Sequence, residues 1–214
     1  MIEWTTANIP SQTGKLAIVT GATGGLGYEI ALALAGAGAE LILAARDMTK
    51  GERASRLIAD KHLGAKVSFE LLDLASLTSV ADFVDRLCAN GRHVDLMINN
   101  AGIMALADRR VSADNLELQF ATNYLWHFAL TAQLLPLLRG THRARVVSMS
   151  SLVHRQGRID VDDLQASRSY DLWKAYAQSK LAMLLFSTEP QRRSDANGWG
   201  LVSNAAHPAR PGPN

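Results

Sequence analysis

The chain has 214 residues, of which 48% are hydrophobic and 20% are charged, and 22 basic and 20 acidic residues give a formal net charge of +2. This composition predicts one globular domain over residues 1–214 and excludes an intrinsically disordered chain. Because the charges nearly balance and form no dense basic run, nucleic acid is not an expected partner.

Short apolar runs alternate with longer amphipathic runs along the chain. The runs predicted as strands are KLAIVT, LILAA, VSFELL, VDLMIN, ARVVSM and GLVSNAA. Helices are predicted between them, over residues 25–38, 48–62, 76–90, 112–139 and 172–193. Uniformly apolar strands joined by helix-length connections indicate a parallel sheet that is covered on both faces. The predicted fold is α/β, a doubly wound, Rossmann-like parallel sheet.

A glycine-rich turn, TGATGGLG, follows the first predicted strand and leads into a predicted helix. We expect Gly21 to permit a tight turn, Gly25 to let the backbone approach a pyrophosphate, and Gly27 to let the helix pack closely. Glycine-rich turns also serve plain backbone geometry, so this signal needs support from elsewhere. The turn predicts a dinucleotide site formed by Gly21, Thr23, Gly24, Gly25, Leu26 and Gly27.

The end of the second predicted strand indicates which dinucleotide binds. An NAD enzyme is expected to place an acidic side chain there, against the adenosine ribose, and Ala45 cannot serve. Arg46 follows, and its planar guanidinium suits a 2′-phosphate. The sequence therefore predicts NADP(H), with the alternative that Arg46 only pairs with a surface acid.

A tyrosine and a lysine four residues apart lie on one face of a helix, where the ammonium can lower the pKa of the phenol and make it a useful proton donor. The chain holds two such pairs, Tyr170 with Lys174 and Tyr176 with Lys180. Tyr170 lies in a polar stretch, whereas Tyr176 leads into the apolar helix LAMLLF. We therefore expect Tyr176 and Lys180 to be the reactive pair.

Two serines, Ser150 and Ser151, end the fifth predicted strand. Ligands of open α/β sheets bind at this carboxyl edge, so a serine hydroxyl could hold a substrate oxygen there. The alternative is an ordinary serine that caps a turn.

Together these motifs resemble the short-chain dehydrogenase/reductase family. The motifs TGATGGLG, AAR, Asp73-Leu74, Asn99-Asn100-Ala101-Gly102, Asn123, Ser150-Ser151 and YAQSK occur in the family's order. The segments TNYLWHF, SSLVH and GRIDVDDLQ are similar to the branch that contains retinol dehydrogenases and the WW-domain oxidoreductase.

The resemblance implies a role for each matching residue. Ser151 would polarise the substrate oxygen, Tyr176 would exchange the proton, and Lys180 would also bind the nicotinamide ribose. Asn123 would hold a water that links Lys180 to solvent, unless it is only a helix-interior amide bonded to backbone. Residues implied on the adenosine side are Asp73, Leu74, Asn100, Ala101 and Gly102.

Three features depart from the family pattern. Ala209 follows His207-Pro208 where glycine is expected, and the chain ends at Asn214, so we expect the substrate cover and last strand to be lacking. Ser148 occupies a place that asparagine often holds. Pro190 should end or kink the helix that carries Tyr176.

Other features concern location and metals. The polar N-terminal stretch is unlike a signal peptide, and the longest apolar run, residues 30–39, is far shorter than the roughly 20 residues of a membrane span. The histidines lack metal-binding spacing, so no metal is predicted. The single cysteine, Cys88, should be a buried, inert thiol. These features predict a cytoplasmic protein.

The sequence thus predicts an NADP-dependent oxidoreductase that acts on a small, hydrophobic carbonyl or alcohol substrate and forms a homo-oligomer, as the family resemblance implies. One alternative is a non-catalytic nucleotide-binding or regulatory protein on the same fold. A second is an epimerase or dehydratase with the same tyrosine and lysine, although its usual GxxGxxG turn is absent.

Overall fold

Six parallel strands form one sheet in the computed structural model, which describes residues 5–208. The strand order is β3-β2-β1-β4-β5-β6, which is the doubly wound order of dinucleotide-binding folds. The predicted fold class is confirmed. The strands are β1 Leu16–Thr20, β2 Glu40–Ala45, β3 Val67–Leu71, β4 Leu96–Asn99, β5 Arg145–Met149 and β6 Val202–Ala206.

The helices lie in the predicted connections. They are α1 Gly25–Gly36, α2 Met48–Lys61, α3 Leu77–Ala89, α4 Leu118–Phe120, α5 Trp126–Gln133, α6 Leu135–Arg139 and α7 Leu172–Asn197. Side chains cap four of them: Asp47 precedes α2, Ser76 precedes α3, Glu117 precedes α4 and Asp171 precedes α7, each accepting from a backbone amide of the first turn. Such caps satisfy amides that have no partner inside the helix.

Apolar layers cover both faces of the sheet, as the uniformly apolar strands predict. Neighbouring residues of β1 alternate between the layers: Ile18 packs with α3 and α5, and Val19 packs with α1 and α2. Both side chains are fully buried. The covered sheet leaves its carboxyl edge as the place where polar groups can gather.

Two sequence-based expectations about these elements are wrong, and a third, that Pro190 ends or kinks its helix, is wrong about the ending. The predicted helix over residues 112–139 begins only at Leu118, and it contains a π-helical turn at Ala121–Leu125. Helix α7 does not end at Pro190; it continues to Asn197, where Gly198 in the left-handed conformation ends it. Cys88 is exposed, because it points away from the apolar face of α3 that buries Leu87.

Within residues 5–208, no helix is both long and apolar enough to cross a bilayer. Ala209 and the proline-rich end of the chain lie outside the described residues.

Candidate active site

A crevice of about 620 Å³ opens at the carboxyl edge of the sheet, where the strand order reverses between β1 and β4. This reversal point is where open α/β sheets bind their ligands, because the connections on either side leave in opposite directions. The glycine-rich turn lines one part of the crevice, and Tyr176 and Lys180 line another. The fold therefore brings the two strongest sequence motifs to one cavity.

Two glycines in the turn allow close backbone packing. A Cβ on Gly21 would lie 2.9 Å from the Cα of Ala101, and Gly21 has a φ of +68°. A Cβ on Gly27 would lie 2.4 Å from the carbonyl oxygen of Gly21. No side chain fits at either place, so the turn stays tightly folded against the end of β4.

Of the other residues of the turn, some line the crevice and one does not. Thr23, Gly24 and Leu26 line the crevice with Gly21 and Gly27. Gly25 does not line it; this residue begins α1 with a φ of +53°. Its backbone is exposed, with open space where a Cβ would stand, and its approach to a pyrophosphate stays a prediction.

The hydroxyl of Thr20 joins β1 to the end of β4. It accepts hydrogen bonds from the amides of Asn100 and Ala101, both at 2.9 Å. The side-chain amide of Asn100 donates back to the carbonyl oxygen of Thr20 at 2.9 Å. Through these bonds, two of the predicted adenosine-side residues are fixed against the glycine-rich turn.

His127 completes this junction, and sequence reasoning did not identify it. Its Nε2 lies 3.0 Å from the Thr20 hydroxyl, and the ring is fully buried. The same hydroxyl also donates to the carbonyl oxygen of Ile98 at 3.3 Å. Burial, together with the positive charge of Lys180, lowers the pKa of His127 to about 3.

Residues predicted to bind adenosine line the other end of the crevice, among them Arg46, Asp73 and Leu74. Within residues 5–208 the Arg46 side chain forms no ion pair. The carboxylate of Asp47 instead caps α2 by accepting from the amide of Lys50 at 3.0 Å. Arg46 is thus an exposed cation at the mouth of the crevice.

Tyr176 and Lys180 lie on the buried face of α7. The ammonium of Lys180 donates to the carbonyl oxygen of Met149 at 2.9 Å and lies 5.8 Å from the centre of the Tyr176 ring. Burial lowers the pKa of Lys180 to about 8, so the ammonium form predominates at pH 7. The predicted one-face arrangement of the pair is therefore present.

The expected effect of Lys180 on the phenol is not found. Burial raises the pKa of Tyr176, and a side-chain hydrogen bond from Ser151 acts in the opposite direction. Desolvation of the phenolate thus outweighs the effect of Ser151. The neutral phenol is favoured, which is the form that can donate a proton.

The two serines at the end of β5 have different partners. Ser150 is buried, and its hydroxyl donates to the carbonyl oxygen of Lys180 at 2.8 Å, which ties β5 to α7. Ser151 is half-buried; its hydroxyl accepts from the amide of Val153 at 3.4 Å, as a turn-capping serine does, and its side chain also lies close enough to the Tyr176 phenol to oppose the rise in that phenol's pKa. Of the two, Ser151 is the one whose hydroxyl meets the reactive tyrosine.

Asn123 lies in the π-helical turn and is fully buried. Its side chain accepts from the amide of Ile103 at 2.8 Å and donates to the carbonyl oxygen of Ile103 and to Ser179, both at 2.9 Å. These contacts match the alternative of an amide bonded to backbone. Its proposed water link to Lys180 stays a prediction.

The second tyrosine and lysine pair is not assembled. Tyr170 bonds to the carbonyl oxygen of Leu106 and to Gln119, while Lys174 is exposed. Neither residue lines the crevice. The choice of Tyr176 over Tyr170 therefore agrees with the position of the crevice.

The short chain dehydrogenase family model matches residues 15–209. The chain is 44% identical over 205 residues to a polyprenol dehydrogenase of Danio rerio, covering 94% of this chain and 63% of that protein. It is 44% identical over 203 residues to retinol dehydrogenase 13 of Homo sapiens, covering 94% of this chain and 60% of that protein. The chain thus spans about three fifths of the length of these relatives.

Solved structures show the same likeness. A crystal structure of an uncharacterized protein from Mycobacterium Paratuberculosis is 44% identical with a TM-score of 0.87, covering 96% of this chain and 72% of that one. The RhlG/NADP active-site complex of Pseudomonas aeruginosa is 25% identical with a TM-score of 0.75, covering 94% of this chain and 74% of that one.

We predict that His127 makes the fold sensitive to acid. Between pH 6.5 and 3 the unfolded chain binds a proton that the folded chain excludes, so stability falls as the pH drops below 6.5. By pH 5 this residue should cost about 2 kcal/mol of unfolding free energy. Urea unfolding at pH 7 and pH 5 should show that His127→Gln removes this part of the loss. The exposed His142→Gln serves as the control, and equal losses in all three proteins would contradict the prediction.

Proposed function

Because the chain belongs to the short-chain dehydrogenase family, in the branch of the retinol dehydrogenases, we propose that it is an NADP(H)-dependent oxidoreductase acting on a hydrophobic carbonyl or alcohol. The observation that carries this proposal is that Tyr176 and Lys180 line the crevice that the glycine-rich turn opens, with the side chain of Ser151 beside the Tyr176 phenol. These groups can hold an oxygen and exchange its proton.

In the reductive direction, NADPH would supply a hydride to the carbonyl carbon. The hydroxyls of Ser151 and Tyr176 would hold the carbonyl oxygen, and Tyr176 would donate its proton as that oxygen gains negative charge. The Lys180 ammonium would stabilise the resulting tyrosinate from the adjacent helical turn. In the oxidative direction the phenolate would accept the proton of the alcohol.

Arg46 supports NADPH over NADH as the cofactor. Its guanidinium is free of ion pairs within the described residues and stands where the second strand ends, so it can bind a 2′-phosphate by charge-assisted hydrogen bonds. The neighbouring carboxylate, that of Asp47, caps α2 instead. The NADP-bound relative from Pseudomonas aeruginosa adds support for this choice.

Apolar residues beside Tyr176 favour a hydrophobic substrate. Ile103, Met104 and Leu118 line the crevice, and the Met104 side chain is 61% exposed at its mouth. The names of the relatives point to polyprenols and retinol, which are long, unsaturated, hydrophobic alcohols. We propose substrates of this kind, with retinaldehyde and decanal as first probes.

The competing proposal is a nucleotide-binding protein without turnover. It shares the glycine-rich turn and Arg46 but gives no role to the buried Lys180, whose desolvation carries a cost in stability. NADPH titration followed by a carbonyl panel separates the two, since both bind NADPH and only the enzyme consumes it.

We predict that Tyr176→Phe lowers kcat by about 100-fold or more, because the substrate oxygen loses its proton donor. The dissociation constant for NADPH should change by less than about twofold, since the ring itself is retained. NADPH consumption with retinaldehyde and fluorescence titration measure the two quantities. Tyr124→Phe is the matched control, and full activity in Tyr176→Phe would contradict the mechanism.

We predict that Arg46→Ala weakens NADPH binding about 10- to 100-fold and leaves NADH binding unchanged, since only NADPH loses charged hydrogen bonds. Fluorescence titration with both cofactors is the measurement. Arg56→Ala removes an equal charge from α2, where Arg56 pairs with Glu52 at 4.0 Å, and should leave both affinities unchanged. Equal weakening of NADPH and NADH by Arg46→Ala would count against NADP specificity.

The face formed by α5 and α7 supports the predicted homo-oligomer. Phe128 and Leu185 expose 47% and 52% of their surface there, and Phe128 packs against Phe186. An apolar pair left in water on two adjacent helices suits an interface with a second copy. Leu185→Arg should shift the protein from dimer to monomer in light scattering, while Leu57→Arg on α2 should not. A monomeric unaltered chain would refute this assembly.

A further inference from the structure

The loop between β4 and α4 forms the apolar side of the crevice next to Tyr176. Ile103, Met104 and Leu106 line the cavity from this loop. Ala105 lies between them with a φ of +50°, a left-handed conformation that residues other than glycine adopt only where surrounding contacts impose it. Something outside the loop must therefore hold its shape.

Gln119 on α4 supplies part of this restraint. It is fully buried, and its side-chain oxygen accepts from the amide of Ala105 at 2.7 Å. Its side-chain nitrogen donates to the hydroxyl of Tyr170 at 2.9 Å and to the carbonyl oxygen of Leu172 at 3.2 Å. One amide thus connects the strained loop residue to the first turn of the helix that carries Tyr176.

Tyr170 supplies the rest of the restraint on the loop. Its hydroxyl accepts from Gln119 and donates to the carbonyl oxygen of Leu106 at 2.9 Å. The two side chains therefore bind the loop at two successive residues, Ala105 by its amide and Leu106 by its carbonyl group. Neither Gln119 nor Tyr170 lines the crevice, so each reaches a substrate only through the segments that it holds, and the loop is the one of these that lines the cavity.

We propose that Gln119 and Tyr170 are positioning residues that hold the loop Ile103–Leu106 in the shape that receives the apolar part of the substrate. The inference rests on the proposed oxidoreductase function and adds to it the determinant of substrate length. Tyr176 and Lys180 are fixed separately, through Ser151 and Met149, so the pair affects substrate affinity rather than proton transfer. The end of β4 is also fixed separately, by Thr20, which leaves cofactor binding unaffected.

The test compares Tyr170→Phe and Gln119→Met with the unaltered chain, using decanal and butanal as long and short probes. Loss of the hydroxyl should raise the KM for decanal about 5- to 10-fold, as expected for a lost hydrogen bond that shapes the loop. The KM for butanal, kcat for both aldehydes and the NADPH dissociation constant should stay within about twofold. Gln119→Met should give the same pattern.

Tyr124→Phe is the matched control, because the Tyr124 hydroxyl forms no hydrogen bond within residues 5–208. The Tyr124 ring packs against Phe120 and Phe186. Thermal melting of all four proteins checks that each variant folds. An unchanged decanal KM in Tyr170→Phe overturns the inference. A fall in kcat for both aldehydes at unchanged KM also overturns it, because the tyrosine would then act on the chemistry.

Amide hydrogen exchange over residues 103–107 separates this inference from the proposed function. The Ala105 amide should exchange about 5- to 10-fold faster in Tyr170→Phe and remain slow in Tyr124→Phe. If the unaltered chain binds NADPH but reduces no aldehyde, the proposed function fails and the exchange measurement alone decides. Faster exchange then supports the inference that Gln119 and Tyr170 hold the loop, and unchanged exchange overturns it.

Discussion

The site depends on one hydroxyl group, that of Thr20, at the point where the strand order reverses. Parallel strands β1 and β4 run side by side there, and the chain leaves the sheet after β4 at Asn100. The hydroxyl of Thr20 accepts from the amides of Asn100 and Ala101, and the Nε2 of His127 lies 3.0 Å from it. A crevice can form beside this junction because the backbone amides at its base already have hydrogen-bond partners.

Burial then governs the chemistry of the groups around the crevice. His127 is kept neutral, Lys180 is brought closer to neutrality, and the phenol of Tyr176 is kept protonated, all by removal from water. The shift at Lys180 costs folding stability at pH 7, where the unfolded lysine is fully charged, and such costs are common at preorganised sites. The protein's own residues thus favour a proton-donating phenol, and any lowering of its pKa must come with the ligands.

Three buried amides connect the segments that surround the crevice. Asn123 binds the backbone of Ile103, Gln119 binds Ala105, and Gln178 on α7 accepts from the amide of Asp160 and donates to the carbonyl group of Leu164. Each side chain carries both a hydrogen-bond donor and an acceptor. It can therefore bind the backbone groups of a loop that has no neighbouring strand to bind them. The loops over the site are therefore held from the helices beneath them.

The sequence determined the fold class, the six strands and the sites of the glycine-rich turn, Arg46 and the Tyr176–Lys180 pair, because periodicity and short motifs are local properties of the chain. Only the tertiary structure decided which serine meets Tyr176, since Ser150 is committed to Lys180 by a contact across 30 residues. It also decided the roles of Thr20, His127 and Gln119, whose partners lie far along the chain. Burial set the direction of the Tyr176 pKa, and burial is a property of the packed molecule that no spacing records.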